Sequence, residues 1–227
     1  MISTSGPGRT DNLIPVQTVL LSVADKTGLD YLVASLVSIN PGVRLLSTGG
    51  TFKEINKILG PDSERLMEVS EYTGFPEMPD GLVKTLHPKI HAGILAGRNK
   101  PSHREYLEQT VNGVIIDMIV VNLYPFEKTV ARPGITFDQA RDNIDIGGPT
   151  MIRGAAKNFL GCAVVCDPSD YGPLVEHLKT NNGNTTLDER FSLARKVLDR
   201  TANYDKAIVE YLSKFTPKEI AKLYLTP

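Results

Sequence analysis

"TVLLSVADKTGLDYLVASLVSINPGVRLLSTGGTFKEINKIL", residues 18–59, decides the fold. "TVLLSVAD" reads as a buried strand, and "GLDYLVASLVSIN" follows with Leu29, Leu32, Val33, Leu36 and Val37 at helical spacing. "GVRLLSTGG" is a second buried strand, and Thr51 to Glu54 has the form of a capping box that would open the next helix. Strands apolar along their length need cover on both faces, and alternation with helices supplies it. The expected class is α/β: a doubly wound, mostly parallel sheet flanked by helices.

Outward from this unit the alternation continues. After a long connection, "EYTGFPEMPDGLVKTLHPKIHAGILAG", comes the β-branched "VIIDMIVVNLYPF", stopped by Pro125. Thr136 and Gln139 form another capping box, and Pro149 fits the first turn of the helix in "GGPTMIRGAAKN". "CAVVCD" is a further strand and "YGPLVEHLKT" a further helix; from Thr186, paired with Glu189, a long helical pattern runs through "LDERFSLARKVLDRTANYDKAIVEYLSK". Residues 1–17 are polar with Gly and Pro and read as a flexible tail; 18–213 form the domain, and 214–227 a short C-terminal extension.

Composition narrows the function. With 227 residues and 41% hydrophobic content the chain can bury a full core. Its formal charge is −1, from 25 basic and 26 acidic side chains, so no global field gathers nucleic acid or an anionic membrane. No apolar run approaches a membrane span, and "MISTSGPGRTDNLIPVQ" lacks the layout of a signal peptide, so a cytoplasmic protein is expected. Cys162 and Cys166 share one face of a strand and read as buried, reduced thiols.

In doubly wound sheets ligands sit at the carboxyl ends of the strands, where "SVADKTG", "STGGT" and "NLYPF" fall. The first two loops bring hydroxyls, glycines and Lys26 to helix starts, which suits a phosphate. Neither is a Walker loop or a G-x-G-x-x-G fingerprint, so a nucleoside monophosphate or sugar phosphate fits better than ATP or NAD. In "VKTLHPKIH", Lys84 and His87 are candidates for chemistry; His87 and His91, one turn apart, lack a third ligand for a metal site. In "NIDIGGPTMIRGAAKN" the carboxylate of Asp145 precedes a Gly-Gly-Pro turn whose amides, Ile146 to Gly148, can face a developing oxyanion. Arg153 and Lys157 add cations one turn apart, and Tyr124 ends the central strand.

Seven segments in order, "LLSVADKTGL", "LLSTGGT", "YTGFPEM", "VKTLHPKIHAGILA", "VVNLYPFEKTVA", "IDIGGPTMIRGAAKN" and "TANYDKAI", resemble the inosine monophosphate cyclohydrolase domain of the bifunctional purine biosynthesis enzyme. The resemblance implies a methylglyoxal-synthase-like fold and closure of 5-formamidoimidazole-4-carboxamide ribotide (FAICAR) to inosine monophosphate (IMP), without metal or organic cofactor. It implies a catalytic group of Lys84, Tyr124, Asp145 and Lys157. It places the ribotide against Ser22, Lys26, Thr48, Gly49, Gly50, Thr51 and Thr85, with Ile146 and Gly147 beside the reacting group. Family members are commonly dimeric, so the resemblance allows a homodimer, while the sequence itself does not fix the oligomeric state and an apolar helical stripe like that of the C-terminal helix is more often intramolecular core.

Departures also follow. Leu82 stands where the family has a substrate-site arginine, and a lost charged hydrogen bond costs about 1.5–3 kcal/mol. Ala24 replaces a hydroxyl or aromatic residue, Gly154 an alanine, Phe159 a histidine and Pro79 a leucine. The formyltransferase domain that follows in the family is not in this chain, which implies a separate formyltransferase partner or a piece of a longer protein. Two other readings are a non-catalytic purine-nucleotide-binding module, favoured by Leu82, and a methylglyoxal synthase, which leaves "VKTLHPKIHAGILA" and "IDIGG" unexplained.

Overall fold

The structure is a computed structural model that describes residues 11–76, 78, 82–124 and 126–225. Seven strands and eleven α-helices follow one another in those residues. In chain order they are β1 (Ile14–Pro15), β2 (Thr18–Val23), α1 (Leu29–Ile39), β3 (Arg44–Ser47), α2 (Gly49–Leu59), β4 (Leu66–Glu68), α3 (Val69–Thr73), α4 (Pro88–Leu95) and α5 (Pro101–Glu105). Then come β5 (Met118–Asn122), α6 (Phe126–Val130), α7 (Phe137–Asp142), α8 (Gly147–Lys157), β6 (Ala163–Val165), α9 (Tyr171–Thr180), β7 (Asn184–Thr185), α10 (Leu187–Leu212) and α11 (Pro217–Tyr224).

Five strands form one parallel sheet in the order β4-β3-β2-β5-β6, so the winding reverses between β2 and β5. This is the expected doubly wound α/β architecture. Strand side chains divide by parity: Val19, Leu21, Met118 and Val120 pack with α1, α2 and α9, while Leu20, Ile119, Val121 and Val164 pack with α4, α8 and α10. Helix α1 buries Leu29, Leu32, Val33 and Leu36, the stripe expected from spacing. Cys162 and Cys166 are buried and unbridged on the second face, and burial pushes the Cys166 thiol up to about 11.

Several local expectations change. The tail of residues 1–17 is tied down over its second half: β1 pairs antiparallel with β7, and Ile14 and Val16 are buried; residues 1–10 lie outside the described residues. Helix α2 begins at Gly49, not after Thr51, because the Thr51 hydroxyl is buried against β2, accepting from Val23 N and donating to Val23 O, both at 3.0 Å. The connection before β5 is not featureless, since His87 caps α4 by accepting the Lys89 N–H. Pro125 and Pro79 lie outside the described residues. The Thr136–Gln139 capping box is complete; at Thr186 only the hydroxyl bond to Glu189 N forms, as the Glu189 carboxylate faces His177 Nε2 at 3.3 Å. The extension contains α11, whose Tyr224 hydroxyl bonds to Asp138 on α7.

Arg190 on α10 is the largest fully buried side chain among the described residues. It donates to the carbonyls of Phe159 (2.9 Å), Thr185 (2.6 Å), Asn12 (3.1 Å), Asp11 (3.3 Å) and Leu160 (3.4 Å). Burying that charge is tolerable because its donors are met.

Candidate active site

At the carboxyl ends of β2 and β5, where the winding reverses, lies a cavity of about 660 Å³. Ser22, Lys26, Thr48, Gly49, Gly50, Thr51, Lys84, Thr85, Tyr124, Asp145, Ile146 and Gly147 all line it, so twelve of the thirteen expected residues converge. The thirteenth does not. Helix α8 carries Lys157 at its far end, about 15 Å of helix from Gly147. There Lys157 lines a second cavity with His91, Leu95, Thr150, Arg153, Gly154 and Leu198. Within one chain, therefore, Lys157 does not line the cavity that Asp145 borders.

The loops after β2 and β3 are ordered by hydroxyls and one amide. Ser22 Oγ and Thr48 Oγ1 share a hydrogen bond of 2.9 Å across β2 and β3. Asn122, at the end of β5, accepts from Ala24 N (2.6 Å) and Asp25 N (2.9 Å) and donates to Asp25 O (2.8 Å), holding the "VADK" loop. Sequence reading passed over Asn122; the available signal was an amide closing an otherwise apolar strand. Gly49, at φ +45°, opens α2, and a Cβ there would lie 3.1 Å from Lys84 Nζ; one on Gly50 would lie 3.9 Å from Lys26 Nζ. Two ammonium groups thus flank a helix start, and both they and the helix dipole favour an anion.

The segment from Leu82 to Leu86 lines the cavity from outside the sheet. Thr85 is buried at its centre, and a Cβ on Gly147 would meet Thr85 Oγ1 at 2.6 Å, so the first residue of α8 must be glycine for the two to pack. Leu82, at 59% exposed, lines the mouth with Tyr124 and Ile146, giving an apolar rim where an arginine was expected.

Asp145 sits at the start of α8. Its Oδ1 accepts the Gly148 N–H at 2.9 Å, and its own N–H is donated to Tyr204 Oη at 2.8 Å. Burial pushes the carboxyl above its ordinary value, and the Gly148 bond offsets that only in part. Of the three amides expected to face an oxyanion, Gly148 is thus committed to Asp145; Ile146 and Gly147 remain on the cavity wall. Among the described residues no group of three or more His, Cys, Asp or Glu side chains could hold a metal, and His87 is spent on capping α4. No described helix is long and apolar enough to cross a membrane.

Residues 29–150 match the MGS-like domain, and residues 155–226 match the AICARFT/IMPCHase bienzyme. The chain is 46% identical over 207 residues to the bifunctional purine biosynthesis protein PurH of Chlorobium phaeovibrioides, an alignment covering 91% of this chain and 38% of that protein. It spans well under half of that relative's length. Among solved structures it is similar to the crystal structure of ForH, with a TM-score of 0.70 and 31% identity over 86% of this chain and 97% of that one.

Proposed function

This chain belongs to the MGS-like domain family and continues into a region of the AICARFT/IMPCHase bienzyme family, and we propose that it closes FAICAR to IMP, the cyclohydrolase step of purine biosynthesis. The observation that carries the reading is the convergence, in one cavity, of a phosphate-type cradle with Asp145, Lys84 and Tyr124.

The carboxamide nitrogen of the ribotide attacks its formyl carbon, forming the ring C–N bond; that nitrogen loses one of its two protons, the formamido nitrogen loses its own as the C=N bond forms, and the formyl oxygen leaves as water. An amide nitrogen is a poor nucleophile and a formamide a poor electrophile, so protons must be handled at both and the tetrahedral oxyanion steadied. The ribotide phosphate sits against Ser22, Lys26, Thr48 and the Gly49–Thr51 turn. Thr85 meets the base, and the Ile146 and Gly147 amides meet the oxyanion. Asp145 takes the carboxamide proton, and Lys84 with Tyr124 positions and protonates the formyl side. No metal or organic cofactor enters.

Lys157 is assigned to proton transfer with Asp145 by resemblance, yet stands at the opposite end of α8. It can join this group only from a second copy of the chain, which makes a homodimer the working unit.

The test is a stopped assay of purified protein with FAICAR, following IMP, beside Lys84→Ala. Turnover that collapses in the variant by roughly a hundredfold or more supports the reading. The exposed Leu82 favours a second one, a purine-nucleotide-binding module without turnover. Tight IMP binding with no product from either protein would decide for that module.

A further inference from the structure

The segment "TANYDKAI" lies on α10, far along the chain from the cavity, and no residue of it lines the cavity. Tyr204, within it, nevertheless touches the site. Its hydroxyl oxygen accepts the backbone N–H of Asp145 at 2.8 Å, across 59 residues of sequence. We propose that Tyr204 is a positioning residue for the cyclisation, fixing the Asp145 backbone so that its carboxylate is held at the start of α8. The inference rests on the cyclohydrolase reading and adds to it a residue that never meets substrate.

Three observations support it. The phenol is itself fixed: Tyr204 is 5% exposed and packs edge-on against the fully buried Phe126 at 6.3 Å and 71°, and Phe126 packs edge-on against Tyr211 at 5.8 Å. Tyr204 and Tyr211 lie two turns apart on α10, so one rigid helix delivers both rings around Phe126. Asp145 is short of other anchors, for it stands between α7 and α8, outside either helix, with the Gly148 N–H bound to its Oδ1. Burial also holds the Tyr204 phenol above its ordinary value, so it stays neutral and can accept the amide without repelling the carboxylate.

The geometry leaves little slack. A Cβ on Gly148 would already overlap Asp145 Oδ2, so the carboxylate fills the space between its own backbone and the helix start. Untying the Asp145 N–H lets that backbone turn, and a displacement of about 1 Å in a reacting group is enough to cost roughly a hundredfold in rate.

The experiment is Tyr204→Phe in the full chain, which keeps the ring and its contact with Phe126 and removes only the oxygen. With FAICAR, kcat is expected to fall by roughly ten- to a hundredfold while KM stays within about threefold. In an Asp145→Asn background the same change should add almost nothing, because Tyr204 acts through Asp145. Full kcat in the single variant, or losses that multiply in the double, would overturn the proposal. A readout independent of turnover is the carboxyl-carbon titration of Asp145 by NMR, expected to move toward the ordinary aspartate value in Tyr204→Phe. A titration that stays put counts against the proposal; one that moves in a protein without FAICAR turnover upholds the positioning role and rejects the cyclohydrolase reading. Should the variant not fold, amide exchange at Asp145 in the unaltered chain decides: slow exchange supports the bond, and exchange as fast as in an open loop excludes it.

Discussion

Asp117 and Asp145 sit at opposite ends of the same sheet and show two uses of one side chain. Asp117, 3% exposed at the amino end of β5, accepts from Gln17 N (2.8 Å) and Thr18 N (2.6 Å) through Oδ2 and pairs with Arg98 through Oδ1. Its backbone donates to Thr18 O and accepts from Ala163 N, so one residue clamps β2, β5 and β6 together. Asp145, at the carboxyl end, keeps Oδ1 on one amide and borders an open cavity, with its pKa raised by burial. A carboxylate whose bonding capacity is filled holds the fold. One left short of partners in a cavity is available for proton transfer.

The contrast predicts opposite mutational signatures. Asp145→Asn should lower kcat by roughly a thousandfold while changing stability little. In the unaltered protein, activity should rise with pH as Asp145 ionises, at a higher pH than an exposed aspartate would give, and that limb should vanish in the variant. A denaturant midpoint that falls as steeply as the rate would erase the distinction.

Asp117→Ala is the converse. It strands Arg98 and the backbone amides of Gln17 and Thr18, and should cost about 3–5 kcal/mol of stability, with turnover per folded molecule within about twofold of the original. Urea unfolding and active-site titration read the two quantities separately; a dead but stable variant would contradict the assignment.

Gly148→Ala tests whether Asp145 needs its exact seat. The new Cβ would overlap Asp145 Oδ2 and lie 2.9 Å from Leu123 Cδ2, so a loss of roughly ten- to a hundredfold in kcat is expected, measured beside IMP binding.

Glu189 is the smallest case and lies between the two. Burial pushes it up to about 7 from 4.5, against the opposing charge of Arg190, with His177 Nε2 3.3 Å away. The protonated form favours the folded state, so stability from this group is present below pH 4.5 and is lost as pH rises through 7. Glu189→Gln should therefore raise the melting temperature by roughly a few degrees at pH 8 and leave it unchanged at pH 4. Calorimetry at the two pH values checks the difference.

The core and most of the cavity were legible because their signals are local. Buried strands such as "MIVVN" and helix stripes such as Leu29, Leu32, Val33 and Leu36 follow from periodicity, and the doubly wound topology then sends loop residues to one edge. What was missed depends on distance through the fold. Thr51 resembled a helix cap but is claimed by a strand 28 residues earlier; Lys157 shares a helix with the site yet sits beyond its reach; and Tyr204 is tied to Asp145 by packing of α10 against α8. Asp117, Asn122 and Arg190 looked ordinary because their partners are mostly backbone groups, which carry no sequence identity.

Arg190 also sets an order of events during synthesis. Strands β2 and β3 can pair soon after they leave the ribosome, but Ile14 cannot meet Thr185, nor Asn12 meet Arg190, until more than 170 further residues have been made. At about 5–20 residues per second that is a wait of roughly ten to thirty seconds. Throughout that interval β1 travels without its partner strand, so this edge of the newborn chain closes like a clasp, fastened only once β7 has been made.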